Sequence, residues 1–180
     1  MLPIDDLAKD FLAQQRIAVA GVSLTRDDAA NLIYRTLRKR GYTVYAMNPH
    51  LDEFDGDPCY PDVASLPAVP DGLVIVTRPD AAEDLVRQCI ASRVPRVWMH
   101  CALGTQPRFL KDLATSISSV SPEAVRLCRD NGIAVIPGSC PMQFLGDDFG
   151  HTCMRGFLRA TGALQLPVPP GTPASAPSAL

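Results

Sequence analysis

The sequence predicts an α/β fold in which helices cover both faces of a parallel sheet, and three observations lead there. Short runs recur at 17–22, 42–47, 72–76, 96–99 and 133–136, almost all of them continuously apolar. Strands that are apolar along their whole length belong to sheets buried on both faces. Between most of these runs lie helical patterns with three- and four-residue apolar spacing, punctuated by proline and glycine. Finally, 180 residues suffice for one domain with a substantial core and are too few for two ordinary ones. The expectation is a doubly wound, three-layer fold with a five-stranded parallel sheet in the order 3-2-1-4-5 over residues 1–165. Residues 166–180, rich in proline, alanine and serine, read as a disordered tail.

Taken in order, residues 5–15 read as a short amphipathic helix with Leu7, Phe11 and Leu12 on one face. The run Arg16-Ile17-Ala18-Val19-Ala20-Gly21-Val22-Ser23 is a strand that ends on small residues, and a helix follows over 28–40. In that helix Ala30, Ile33, Tyr34 and Leu37 form the apolar stripe and Gly41 supplies the stop. Residues 42–47 are the second strand. The segment 51–70, with its Asp, Pro and Gly content, reads as loop with at most one helical turn near 63–66. The third strand, 72–76, breaks at Thr77-Arg78-Pro79, and Pro79 opens a helix to Ser92 with Ala81, Leu85, Val86, Cys89 and Ile90 as its stripe. Strand four, 96–99, leads to His100-Cys101. A helix over 108–115 is plausible on pattern but lacks a capping signal. Ser121-Pro122-Glu123 combines a serine cap, proline at the first helical position and an acid in the first turn, so a helix starts there. It ends at Asn131-Gly132 before strand five, and a last amphipathic helix spans 149–161.

Composition excludes several classes. A net charge of −2 with no basic cluster longer than Arg38-Lys39-Arg40, placed where it suits a helix C-terminus, disfavours nucleic acid. The N-terminus lacks a basic stretch followed by an apolar one, and no apolar run approaches the roughly twenty residues of a membrane span. The expectation is a cytoplasmic protein. Its six cysteines form no CxxC pair, so reduced, mostly buried thiols and no metal site are expected.

Strand, small-residue turn and helix start at 16–29 is the geometry of a Rossmann-like nucleotide corner, where helix N-terminal N–H groups face a phosphate. A nicotinamide dinucleotide calls for G-x-G-x-x-G and an acid after the second strand. This chain has only Gly21 before Gly41, and it has Asn48-Pro49 in place of the acid. A P-loop needs G-K-[ST] after a strand, which is absent from the sequence. What remains is a phosphate pocket with the Ser23 hydroxyl and, on the third loop, Arg78. Ser23 as a simple turn or cap residue is the competing reading, and Arg26 as a solvated surface residue is another. No spacing suggests a Ser-His-Asp set, paired carboxylates or a hydride site.

The runs Ile17 to Ser23, Asn31 to Arg35, Val44 to Pro49, Cys59 to Pro61, Thr77 to Pro79, Val97 to His100 and Gly138 to Met142 resemble the CoA-binding domain family. These are small proteins similar to the N-terminal domain of the succinyl-CoA synthetase alpha subunit, and the resemblance covers about residues 10–160. It implies a nucleotide lying across the carboxyl ends of strands one to four, with coenzyme A or an acyl-CoA as the ligand. Gly21, Val22 and Ser23 would meet a phosphate, with Arg26 nearby. Asn48 and Pro49 would line the adenosine side, with His50 where relatives commonly carry a lysine. Thr77, Arg78 and Pro79 would contact adenine or the pantetheine arm, and Trp98 and His100 would border the arm further along. Asp27 and Asp28 would repel an anion unless they point away, and 106–117 is an insertion against the family pattern. The implied role is a non-catalytic carrier, sensor or partner of an acyl-CoA enzyme, with a homodimer possible. An NAD(P)-dependent oxidoreductase and an interaction protein with a vestigial pocket are the alternatives. Cys140, on the ligand side after strand five, raises the further expectation of a mixed disulfide with a CoA thiol.

Overall fold

A computed structural model of the chain describes residues 4–101 and 118–145, together with 153, 155, 156, 159, 160 and 164. The expected helix over 108–115, the insertion at 106–117 and the tail 166–180 lie outside the described residues. So does most of the expected last helix, although Cys153, Arg155, Gly156, Arg159 and Ala160 are helical.

Helix α1 (Ile4–Leu12) precedes strand β1 (Arg16–Ala20), helix α2 (Ala29–Lys39) and strand β2 (Thr43–Met47). Two short strands, β3 (Glu53–Phe54) and β4 (Asp57–Tyr60), form a hairpin. Then come β5 (Gly72–Ile75), α3 (Pro79–Ser92), β6 (Arg96–Met99), α4 (Pro122–Asp130), β7 (Ala134–Pro137) and the single turn α5 (Met142–Leu145). The sheet has seven strands in the order β3-β4-β2-β1-β5-β6-β7. All pairs are parallel except β3 with β4.

The Rossmann-like α/β architecture is as expected; the strand count and one placement are not. The third predicted strand, here β5, does not sit at the edge beyond β2 but pairs with β1, with Ile17 beside Gly72 and Ala20 beside Ile75. The edge place beside β2 is taken by β4, through Ala46 with Cys59 and Met47 with Tyr60. The hairpin was hidden in the segment read as loop. Its turn residues Asp55 and Gly56 have φ of 52° and 83°, both positive as a two-residue type I′ turn requires. The helical turn expected near 63–66 is a run of bends and turns instead.

Successive residues of a strand face opposite sides of the sheet. Ile17, Val19, Val74, Trp98 and Ile136 therefore pack under α1 and α2, whereas Ala18, Ala20, Leu73, Ile75, Val97 and Met99 pack under α3 and α4. Two capping expectations hold at the level of atoms. Ser121 accepts from the Ala124 N–H at 3.2 Å at the start of α4, and α2 ends at Arg40 before Gly41 at φ 88°. In α3 the buried stripe is Ala82, Val86 and Cys89, with Leu85 and Ile90 half-buried against the same core, whereas Ala81 faces the cleft. Among the described residues no helix is long and apolar enough to cross a membrane.

Candidate functional site

A cleft of about 1110 Å³ opens at the carboxyl ends of β1, β2, β5 and β6. In an open α/β sheet that is where the loops from opposite faces diverge and leave a crevice. Its volume lies just above the ~300–1,000 Å³ usual for small-molecule sites.

The first wall is the turn after β1. Gly21 lines the cleft at φ +108°, and a Cβ there would stand 2.3 Å from the Val76 carbonyl oxygen. Only glycine lets the β1 and β5 ends cross so closely. The second wall is Met47 to His50. The Asn48 amide Nδ2 donates to the Val22 carbonyl at 2.6 Å, and its Oδ1 accepts from the His50 N–H at 2.8 Å. Asn48 thus ties the first loop to the second, and Pro49 and His50 border the cleft beside it. The third wall is the start of α3: Thr77, Arg78 and Pro79, followed by Asp80, Asp84 and Gln88 along one helix face. Arg26 and Asp28 close one end, and His100 with Ser118 and Ser119 the other.

Three predicted site residues stand elsewhere. Trp98 is fully buried between Phe11 and Phe144, with edge-on ring contacts at 5.4 and 5.5 Å, because strand alternation turns it beneath α1. Val22 is likewise core. Ser23 faces into its own turn. Its Oγ accepts from the Thr25 and Arg26 N–H groups at 3.2 and 3.3 Å, while its N–H donates to Asn31 Oδ1 at 2.9 Å. Asn31 completes the clasp by donating to the Ser23 and Arg26 carbonyls at 2.7 and 2.8 Å. The turn reading of Ser23 describes what the atoms do.

Sequence reasoning missed the cleft face of α3 and the pair Ser118-Ser119. Asp80, Asp84 and Gln88 at i, i+4, i+8 were a legible polar stripe. It is masked by Ala81, which the apolar pattern assigns to the core, and by Leu85, which both packs against the core and lines the cleft.

Electrostatically the cleft is mixed. Arg26 pairs with Asp28 at 3.7 Å and Arg78 with Asp80 at 3.6 Å, both loosely and in solvent. Asp28 caps α2, accepting from the Ala30 N–H at 3.1 Å, and Asp27 is drawn away to Arg35 at 2.8 Å. His100 is only 6 % exposed. Burial pushes its pKa down to about 4, against the opposing pull of Asp28, so the ring is neutral at pH 7. Cys140 is buried outside the cleft lining, and burial pushes its thiol up to about 11, which removes the thiolate that disulfide exchange needs. Among the described residues no group of three or more His, Cys, Asp or Glu could hold a metal.

A mostly parallel sheet with its cleft at the strand-order reversal, one glycine crossing and two loosely held arginines define a Rossmann-like domain with an open crevice at its strand ends. The CoA binding domain family matches residues 15–145, and the chain belongs to that family. It is 37% identical over 73 residues to "Acetate--CoA ligase [ADP-forming] I" of Archaeoglobus fulgidus, a stretch covering 41% of this chain and 11% of that protein. Among solved structures, a hypothetical protein from Pyrococcus horikoshii OT3 superposes with a TM-score of 0.66 at 23% identity, covering 79% of this chain and 89% of that one. The dinucleotide-forming acetyl-coenzyme A synthetase 1 of Ca. Korarchaeum cryptofilum, in complex with phosphate and ADP, gives a TM-score of 0.55 at 27% identity. There the match covers 73% of this chain and 27% of that chain. The chain thus spans a small part of the synthetase and ligase it matches.

Proposed function

We propose that the protein binds coenzyme A or an acyl-CoA in the cleft, and that it acts as a binding module: a carrier, a sensor or a partner of an acyl-CoA enzyme. The observation that carries this reading is the cleft itself, open at the strand ends and bordered by two exposed arginines, which the half-buried Asp28 and the exposed Asp80 hold only loosely. A phosphate accepts charge-assisted, bidentate hydrogen bonds from a guanidinium and displaces such weak pairs. The residues present fit coenzyme A: cations for its phosphates, and the neutral polar groups of His100, Ser118 and Ser119 for an amide arm. A binding rather than a catalytic role is supported by the placement of the thiols, since none of the five buried cysteines lines the cleft. The partial coverage of the synthetase and ligase supports a larger acyl-CoA enzyme as partner, and the setting proposed for the pair is the cytoplasm.

The test is titration calorimetry with CoA, acetyl-CoA, NAD and NADPH in parallel. CoA or acetyl-CoA binding with no nicotinamide binding is the expected result. Tight NAD or NADPH binding without CoA would replace this reading by an oxidoreductase one.

A further inference from the structure

Two side-chain amides line the cleft, and they are used differently. Asn48 is engaged at both ends, donating to the Val22 carbonyl and accepting from the His50 N–H. Gln88, on α3, is engaged at one end only. Its Oε1 accepts from the Val63 N–H at 3.0 Å. Among the described residues no acceptor takes its Nε2 hydrogens, and the residue is half-buried at the cleft wall.

That single bond fixes which way the amide faces. A backbone N–H can only donate, so the oxygen stands toward Val63 and the NH2 group away from it. Val63 is a firm anchor. It is buried with Leu66 in the core that α3 covers. Ser65 closes the turn around it, its N–H donating to the Asp62 carboxylate at 2.8 Å and its hydroxyl to the Asp62 carbonyl at 2.9 Å. The segment 61–66 therefore presets Gln88 as a donor, and little of its rotamer freedom is left to lose on binding.

The neighbours decide what such a donor can meet. Asp84 lies one turn back on the same helix face and lines the cleft, and its exposed pair with Arg87 at 3.0 Å is a weak one. Asp80 stands a further turn back. A phosphate beside Gln88 would meet these negative charges, whereas an uncharged acceptor does not. Leu85, three residues back, and Pro61, two before Val63, add apolar lining.

We infer that, on the coenzyme A reading, Gln88 is a specificity-determining residue. Its Nε2 donates to an uncharged acceptor of the ligand, either a ring nitrogen of the base or an amide carbonyl of the arm. Val63 acts through Gln88 as a positioning residue.

Calorimetry on the full chain with CoA and ADP, at low and high salt, tests this with Gln88→Met and Gln88→Glu beside the parent protein. Gln88→Met removes both donor and acceptor. Gln88→Glu keeps an oxygen for the Val63 N–H and loses only the donor. Both weaken CoA by about threefold to tenfold, the weight of one neutral hydrogen bond. Gln88→Glu is weaker still at low salt, where its charge repels the ligand, and converges on Gln88→Met at high salt. ADP carries the base without the arm, so an equal loss for ADP assigns the acceptor to the base and unchanged ADP binding assigns it to the arm. Parental CoA affinity of Gln88→Glu at high salt would mean that Gln88 only holds the segment 61–66. Unchanged CoA binding by Gln88→Met would mean that it reads nothing, and either result overturns the inference alone. Absence of CoA binding by the parent protein overturns the coenzyme A reading and this inference with it.

Discussion

At Gly21 the backbone turns with φ +108°, and the Val76 carbonyl oxygen occupies the place of a side chain. A Gly21→Ala substitution meets both the left-handed penalty and a backbone clash, so it costs about 2–4 kcal/mol. A urea midpoint nearly unchanged from the parent would show that the β1–β5 crossing opens cheaply. The acids of the cleft give a prediction of the opposite sign. Asp80 holds Arg78 at 3.6 Å and adds negative charge where an anion must arrive. Asp80→Asn therefore tightens CoA binding several-fold at low salt, and the gain shrinks as salt screens the site; affinity equal to or below the parent's at low salt would count against an anion near Arg78. At this scale the sequence marked positions around the cleft and not the directions of their side chains. Gly21, Asn48, His50, Arg78 and His100 stand at strand ends, which periodicity and turn residues reveal, and they line the cleft. Ser23 and Trp98 stand at strand ends too, but a one-residue step along a strand turns a side chain to the other face. Asn31, eight residues away, then claims the Ser23 backbone.

The elements were legible wherever a capping or periodic signal was local, as with Ser121-Pro122 at α4 and the stripe of α2. The β3–β4 hairpin was not, although Asp55-Gly56 is a strong turn signal, because strands this short carry no periodicity and Pro58 argues against a strand interior. Pro58 is tolerated since β4 pairs with β2 only at Cys59 and Tyr60, so the β2 ladder asks no N–H of position 58. What fixes the hairpin is α2. Tyr34 donates to Asp57, Arg38 pairs with Asp57 at 2.5 Å, Arg35 pairs with Asp55 at 2.6 Å, and the Phe54 ring meets Tyr34 edge-on at 5.1 Å. These contacts bury Phe54 and cover the edge of the sheet against unwanted strand pairing. Phe54→Ala removes the apolar anchor and costs about 3 kcal/mol, at the low end for a buried phenylalanine because an edge hairpin relaxes. Hydrogen exchange supplies the check. The Asn48 and Cys59 amides, bonded to Tyr60 and Asp52, lose protection before β1 does; uniform loss across the sheet would mean the hairpin is not a separate unit.

At the scale of the whole molecule, the order β4-β2-β1-β5-β6-β7 places the reversal of strand order between β1 and β5, so α2 and α3 start on opposite sides of one crevice. Folding this crevice also buries His100 as a neutral ring, which couples the stability of the chain to pH. The folded ring has its pKa near 4, whereas an unfolded histidine titrates near ~6.5. Between these values the unfolded chain binds more protons than the folded one, so stability rises with pH across that window. The contribution is complete above about pH 6.5 and is lost as pH falls toward 4, in total about 3 kcal/mol for a shift of roughly 2.5 units at ~1.36 kcal/mol per unit. The carboxylates act lower. Arginine partners hold Asp10, Asp55, Asp71 and Glu123 below their ordinary range, so their stabilisation is present above pH 4 and disappears only in stronger acid. Urea unfolding at intervals from pH 4 to 7.5 therefore shows a slope in the parent protein that His100→Gln flattens, while both share the steeper fall below pH 4. Identical slopes in the two proteins between pH 4 and 6.5 would place the His100 proton in solvent. The cleft then has no buried imidazole to offer a ligand.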